Sequence, residues 1–438
     1  MIRSRKVVSQ ALIISIIFLA LAAAAPAQSR ANVMILGPAA GSHLGGSGSI
    51  DNLTDMNRAQ CLAVGDFNGD GIDDLAISAP DAVASAGVVY VIFGRAELPA
   101  TIDTAQGRAG GVDLIISGAA AGSQLGFALA AGDINGDGIK DLLIGAPGAS
   151  SNGLAGAGAV YVILGSRTLG TSSTFDLSQP SAADLVVFGK GDRFGAAISI
   201  GDAGGPATSR PIMDMLIGAP GVSTESAGAG YLVFGRPDFG STLRQVDLSS
   251  TSADFTVQGN DRQRLGVATA IGDVNGDGIG DLFFGAPGSS RPARFDSQSL
   301  APMGGTGAVF GVYGPINQGG ALSLAQNQPS LSLYGFNVGD RFGAALALAD
   351  FTGDGVADIA VGAPSASGTF HVSATNVTYF LNRNSGAVYV FAGSSALVGP
   401  RLDVAAEEYS TASILGNEGQ MGFSLYAGSY NVPGNADT

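Results

Sequence analysis

Apolar residues in this chain come in short bursts, not in helical stripes. "DLAISAP", "DLLIGAP", "DLFFGAP" and "DIAVGAP" start at Asp74, Asp141, Asp281 and Asp358. Each burst is rich in Val, Ile, Leu and Phe and is bounded by Gly, Pro or Asp, which predicts strands. The bursts recur in a fixed order. A phrase such as "GSQLGFALA" comes first, then an acidic loop, then "DLLIGAP", then "GAVYVILG", then a looser run such as "DLIISG". The acidic loops begin at Asp66, Asp133, Asp273 and Asp350, with a damaged copy at Asp202, so the spacings are 67, 69, 71 and 77 residues. A fixed period of this size marks a module array.

Four strands per module predict one small antiparallel sheet, which cannot bury both faces alone. Radial stacking around an axis solves the problem and protects the edges. Small residues, as in "FGAAISI", suit the innermost strand, where neighbouring sheets converge. The expected fold class is therefore all-β, a β-propeller of four-stranded antiparallel blades. Five full blades are expected at about 44–118, 125–189, 193–259, 264–335 and 341–416, with a partial sixth at 421–438 and an outer strand at 31–37. Outer strand first and inner strand last is how a propeller clasps its ring. The middle strands of the sixth blade are absent, which implies a truncated ring. Inserts at 46–60, 291–303 and 368–385 lengthen three loops.

The loop chemistry points to a hard cation. Asp66, Asn68, Asp70 and Asp74 place side-chain oxygens at positions 1, 3, 5 and 9, and Gly71 lets the chain turn so that the Ile72 carbonyl points inward. Asp133, Asn135, Asp137, Ile139 and Asp141 repeat the set, as do Asp273, Asn275, Asp277, Ile279 and Asp281. Asp350, Thr352, Asp354, Val356 and Asp358 repeat it with a hydroxyl at position 3, which predicts a weaker site. Oxygen-only ligands in a tight loop suit Ca²⁺. The competing reading, an ordinary Asn/Asp-Gly turn, does not account for four copies at one place in the module. About four calcium sites are expected, each clipping two strands together. The Asp202 copy has an enlarged loop, and no metal is expected there.

Charge and composition narrow the partners. The formal net charge is −15 over 438 residues, and glycine supplies 68 of them. Such a balance disfavours nucleic acid and anionic membranes. "MIRSRKVVSQALIISIIFLALAAAAPAQ" has a basic start, an apolar run and small residues near Ala27, so residues 1–27 read as a signal peptide. The mature chain is then secreted or at the cell surface, with no stable membrane insertion after cleavage. The single cysteine, Cys61, sits in an apolar stretch and reads as a small core residue.

The word "LGFALAAGDINGDGIKDLLIGAP" resembles the FG-GAP repeat of integrin α-subunit N-terminal seven-bladed β-propellers, a repeat also carried by secreted microbial proteins. The resemblance covers about 31–438. It implies a ring of seven blades, of which this chain carries a truncated part, calcium at the aspartate-rich loops named above, and those loops on the bottom face between the first two strands of a blade. In integrins, partners bind the opposite face together with a β-subunit. This chain shows no β-subunit partner and no leg domains in its sequence, so integrin-like adhesion does not transfer.

Neither histidine, His43 or His371, falls in a catalytic motif, and HExxH, GxSxG and phosphate-loop patterns are absent. Lys190-Gly191-Asp192 is ordinary blade text. The expectation is accordingly no enzyme and no catalytic residues. The functional expectation is a calcium-binding recognition or adhesion module for an extracellular protein or glycan. One alternative is a structural or assembly unit, or a fragment of a larger surface protein. Another is an accessory domain of a hydrolase, because some phospholipases D that cleave glycosylphosphatidylinositol anchors carry this repeat.

Overall fold

A computed structural model describes residues 33–46 and 60–397, apart from 152–153, 171–173, 180, 205–211, 292–304, 317, 336, 367, 373–376, 382–384 and 396, together with 402–403, 412–415 and 425. The expected signal peptide, almost all of the partial sixth blade and most of the inserts at 46–60 and 291–303 lie outside the described residues.

The described chain is built from β-strands, and the modules fold as a succession of small sheets. In the first sheet Leu62–Gly65, Asp74–Ala79, Val88–Ile92 and Leu114–Ser117 pair antiparallel in chain order. Leu129–Gly132, Asp141–Ala146, Ala159–Ile163 and Leu185–Phe188 repeat this. Ala197–Gly201, Asp214–Ala219, Ala229–Val233 and Phe255–Gln258 form the third sheet. Thr269–Gly272, Asp281–Ala286, Ala308–Val312 and Leu331–Tyr334 form the fourth. Ala345–Ala349, Asp358–Ala363, Ala387–Phe391 and Ala412–Leu415 form the fifth. The part of the 368–385 insert that is described is a hairpin, Gly368–Val372 with Val377–Leu381.

Four of these sheets carry a fifth strand that the apolar pattern did not reveal. Thr174–Asp176, which belongs to the second module, pairs in parallel with Leu114–Ser117 of the first. Gln245–Asp247, Gly320–Ser323 and Leu402–Asp403 repeat the hand-over at the next three sheets. Met34–Leu36 takes Thr101–Asp103 in the same parallel way. The sheets are therefore mixed at their outer edge. Each module covers its predecessor's outermost strand, whose unpaired backbone groups would otherwise be open.

The second strands explain the unbroken apolar words. All six residues of Asp74–Ala79 are buried, and the same holds at Asp141–Ala146, Asp214–Ala219, Asp281–Ala286 and Asp358–Ala363. Alternation disappears where both faces are covered: the middle three sheets have a neighbour on each face, and the outer face of the first is covered by Val33, Ile35, Leu44 and Ile102. One core lies between the first and second sheets, joining Val89, Val91 and Leu114 to Leu142, Ile144 and Tyr161. Three more lie between successive sheets along the array. Inner strands touch in chain order, from Leu62–Gly65 through Leu129–Gly132, Ala197–Gly201 and Thr269–Gly272 to Ala345–Ala349. No strand pairing among the described residues joins the first sheet to the fifth. No helix among the described residues is long and apolar enough to cross a membrane.

Candidate functional site

Each acidic loop joins the end of an inner strand to the start of a second strand. In the first, both carboxylate oxygens of Asp66 are used by the backbone. Oδ1 accepts from Gly69 N at 2.7 Å and Asp70 N at 3.1 Å, and Oδ2 accepts from Gly71 N at 2.8 Å. Asn68 Oδ1 accepts from Asp70 N and Asp70 Oδ1 accepts from Ile72 N, each at 2.9 Å. Asp133 and Asp273 wrap their loops in the same way, as do the side chains at positions 3 and 5 of those loops, with Ile139 N and Ile279 N closing the turns. Asp350 does so too, and the N–H of Gly355, with those of Gly353 and Asp354, holds its carboxyl below the usual range. Val356 N donates to Asp354 Oδ1 in that loop, and the Thr352 hydroxyl donates to Asp350 Oδ1. Gly71 has φ +87°, the left-handed turn that position 6 requires.

The position 9 aspartate behaves differently. Asp74, Asp141, Asp281 and Asp358 are fully buried, whereas Asp66, Asp133, Asp273 and Asp350 are not. Asp141 Oδ2 accepts from Ile134 N at 2.9 Å, within its own loop, and Oδ1 accepts from Gly165 N at 2.9 Å, just beyond the third strand. Asp74 with Gly94, Asp281 with Gly314 and Asp358 with Gly393 repeat the clamp. Asp214 keeps it in the damaged copy, accepting from Ala203 N at 2.8 Å and Gly235 N at 3.0 Å. This carboxylate therefore has a structural task that does not depend on a metal loop, a role that its ligand spacing had concealed.

Burial and like charge act together on these groups. Burial, opposed by the clamp hydrogen bonds, pushes Asp141 up to about 7, and the Asp137 and Asp133 carboxylates push the same way. Burial raises Asp281 to about 6, with Asp277 and Asp273 adding to it. Asp74 is likewise raised to about 6 by burial, with a further push from Asp70. The position 5 carboxylate, joined in two loops by position 1, thus disfavours the charged form of position 9, a repulsion that a divalent cation would relieve. The all-oxygen donor set suits a hard cation. Among the described residues, however, no group of three or more His, Cys, Asp or Glu side chains stands close enough to hold a metal ion.

The loops also bond to one another. The carbonyl of Asp66 accepts from Lys140 N of the next loop at 3.2 Å. Asp133 O takes Met213 N, Asp202 O takes Gly280 N, and Asp273 O takes Ala357 N, each at 2.9 Å. All five loops form one row, the damaged copy included.

A model of the FG-GAP repeat matches residues 62–92, 125–163 and 342–391. An FG-GAP repeat region is present. The chain is 38% identical over 156 residues to mouse phosphatidylinositol-glycan-specific phospholipase D, covering 35% of this chain and 16% of the mouse protein. It is 39% identical over 161 residues to the human phospholipase, again 35% of this chain and 16% of the relative. Similarity to integrin alpha-PS2 of Drosophila melanogaster is lower, 29% over 250 residues, covering 55% of this chain and 16% of the integrin. The chain therefore spans about a sixth of the length of these relatives. The expectation that the chain is not an enzyme is overturned by the phospholipases, the more identical of these relatives. That expectation rested on missing histidine, serine and phosphate-loop motifs. A motif search tests only for chemistries whose residues are adjacent in sequence, and it is silent about the enzyme to which a repeat region belongs.

Proposed function

We propose that this region is a calcium-clipped structural and assembly unit of a larger exported or cell-surface protein, its sheets arranged as blades around the inner strands. The observation that carries the reading is the row of acidic loops, in which each loop wraps around its own first aspartate and bonds to the next loop. A cation at Asp66, Asn68, Asp70, the Ile72 carbonyl and Asp74, and at the matching sets, would offset the repulsion that loop carboxylates exert on the buried position 9 aspartate. It would bind the folded state alone and so stabilise the module. Limited proteolysis with and without millimolar calcium tests this. Protection by calcium is expected, and equal cleavage rates in calcium and chelator would defeat it.

A second reading concerns the larger protein. The identity to phosphatidylinositol-glycan-specific phospholipases D favours a hydrolase of that type over an integrin-like receptor. Release of a glycosylphosphatidylinositol-anchored reporter from vesicles is the assay. Calcium-dependent release, reduced by Asp133→Asn, supports the hydrolase context. No release at any protein concentration counts against it and leaves the assembly unit standing.

A further inference from the structure

The residue after the first aspartate of each acidic loop plugs the gap to the next module. Phe67, Ile134, Ala203 and Val274 are at most 1% exposed. Each belongs to the core between its own sheet and the following one. The fifth copy is Phe351, and it is 54% exposed. A phenyl ring this open forgoes the burial that its counterparts gain. Val390 agrees with it. Val91, Val162 and Leu232, at the same point of their third strands, have no exposed surface, whereas Val390 is half-buried.

Backbone groups mark the same place. The carbonyl of the first aspartate accepts an N–H from the next module at Asp66, Asp133, Asp202 and Asp273. The carbonyl after it does so in three loops: Phe67 O takes Ser166 N at 3.0 Å, Ile134 O takes Arg236 N at 3.0 Å, and Ala203 O takes Ile316 N at 3.3 Å. Among the described residues nothing donates to Asp350 O or Phe351 O. Among the same residues the outermost strand of the fifth sheet, Ala412–Leu415, takes no parallel strand from a following module, unlike those of the other four sheets. Leu425 shows where the cover begins, packing against the cluster of Ala347, Ala360 and Val388. The words "MGFSLYAG" around it and "FGAAISIG" at 194–201 stand in register. Leu425 thus corresponds to Ile198, an inner-strand residue of the third sheet that shares a core with Leu143, Val160 and Val162 of the second.

We propose that the far face of the fifth sheet, at its acidic-loop end, is a docking surface for a sixth sheet of the same repeat in the larger protein, begun by the strand that carries Leu425. Continuity identifies the occupant, because each of the four interfaces between successive sheets has a buried plug and a loop-to-loop hydrogen bond. The second and third strands of the sixth sheet close over Phe351 and Val390. Its loop donates an N–H to the Asp350 carbonyl, and the turn after its third strand donates one to the Phe351 carbonyl. This deepens the assembly reading and rests on it, but it does not require calcium.

Phe351→Cys in the full chain, labelled with Ellman's reagent in calcium and in chelator, tests the surface. The new thiol is expected to react as an exposed cysteine does, while buried Cys61 stays silent. Extending the chain after Thr438 with a second copy of residues 143–189 supplies the missing strands in register, since Asp437 and Thr438 stand where Asp141 and Leu142 do. That extension is expected to slow labelling by about tenfold or more. Unchanged labelling in an extended chain whose added residues resist protease overturns the proposal. Labelling of the unextended chain that slows as its concentration rises also overturns it, by assigning the face to a second copy. If the added residues do not fold, the unextended chain decides: it is expected to bind the apolar dye anilinonaphthalene sulfonate, and Phe351→Asp to bind less. Equal dye binding by the two overturns the proposal. Loops that bind no calcium would defeat the calcium clip and leave the labelling result as it stands.

Discussion

Replacing Asp214 with asparagine separates the clamp from any metal, because its loop lacks the oxygen set of the other four. In the folded chain the carboxylate is buried and its pKa rises from 3.8 to about 6, first through burial and then through the charges of Asp202 and Asp254. The folded state therefore holds a proton between these two values that the unfolded state has released. This stabilisation is fully present below pH 3.8 and is lost as pH rises through about 6. The size of the loss is about 3 kcal/mol, from 1.36 kcal/mol for each pH unit between the two values. Asparagine does not titrate and carries no such loss. It does turn one acceptor into an amide donor facing Ala203 N or Gly235 N, at a cost of about 1–3 kcal/mol. Asp214→Asn is therefore expected to be destabilising at pH 4 and close to neutral at pH 7. Urea unfolding followed by tyrosine fluorescence at several pH values, in calcium-free buffer, measures the difference. Superimposable stability profiles for the two proteins between pH 4 and 7 would refute the reasoning.

Other outcomes follow from the same geometry. With a dissociation constant of about 1 mM, each calcium site contributes about 1.4 kcal/mol at about 10 mM calcium; the calcium-dependent rise in Tm should shrink in Asp133→Asn and again in Asp133→Asn/Asp273→Asn, as scanning calorimetry can check. Gly158→Ala would place a Cβ 2.3 Å from the Phe194 carbonyl oxygen at φ +76°, whereas Gly41, at φ +77°, has open space around its Cβ. The first substitution should therefore cost about 3 kcal/mol or more and the second about 1–2 kcal/mol, read from urea midpoints. Cys61 has no exposed surface, so its thiol should react with Ellman's reagent only after unfolding, and rapid labelling of the native chain would contradict its burial.

Strand positions, the order of phrases in a module and the recurring acidic loop are written locally. Short apolar words bounded by Gly, Pro and Asp specify strands, and oxygen spacing within nine residues specifies a loop chemistry, because both depend on neighbours in the chain. The three-residue strands such as Thr174–Asp176 were not legible, since their pairing partners lie in the preceding module. "TID", "TFD", "QVD" and "RLD" do recur, and Asp103, Asp176 and Asp247 turn the chain by accepting the N–H two residues on, a faint signal that could have marked them. The second identity of the position 9 aspartate was also hidden, because the glycine N–H it accepts lies 20 or more residues away. What a residue can be was set by its own segment. What it faces was decided only in the folded array, because stacking sheets puts equivalent positions of different modules side by side, and charge and burial act through space.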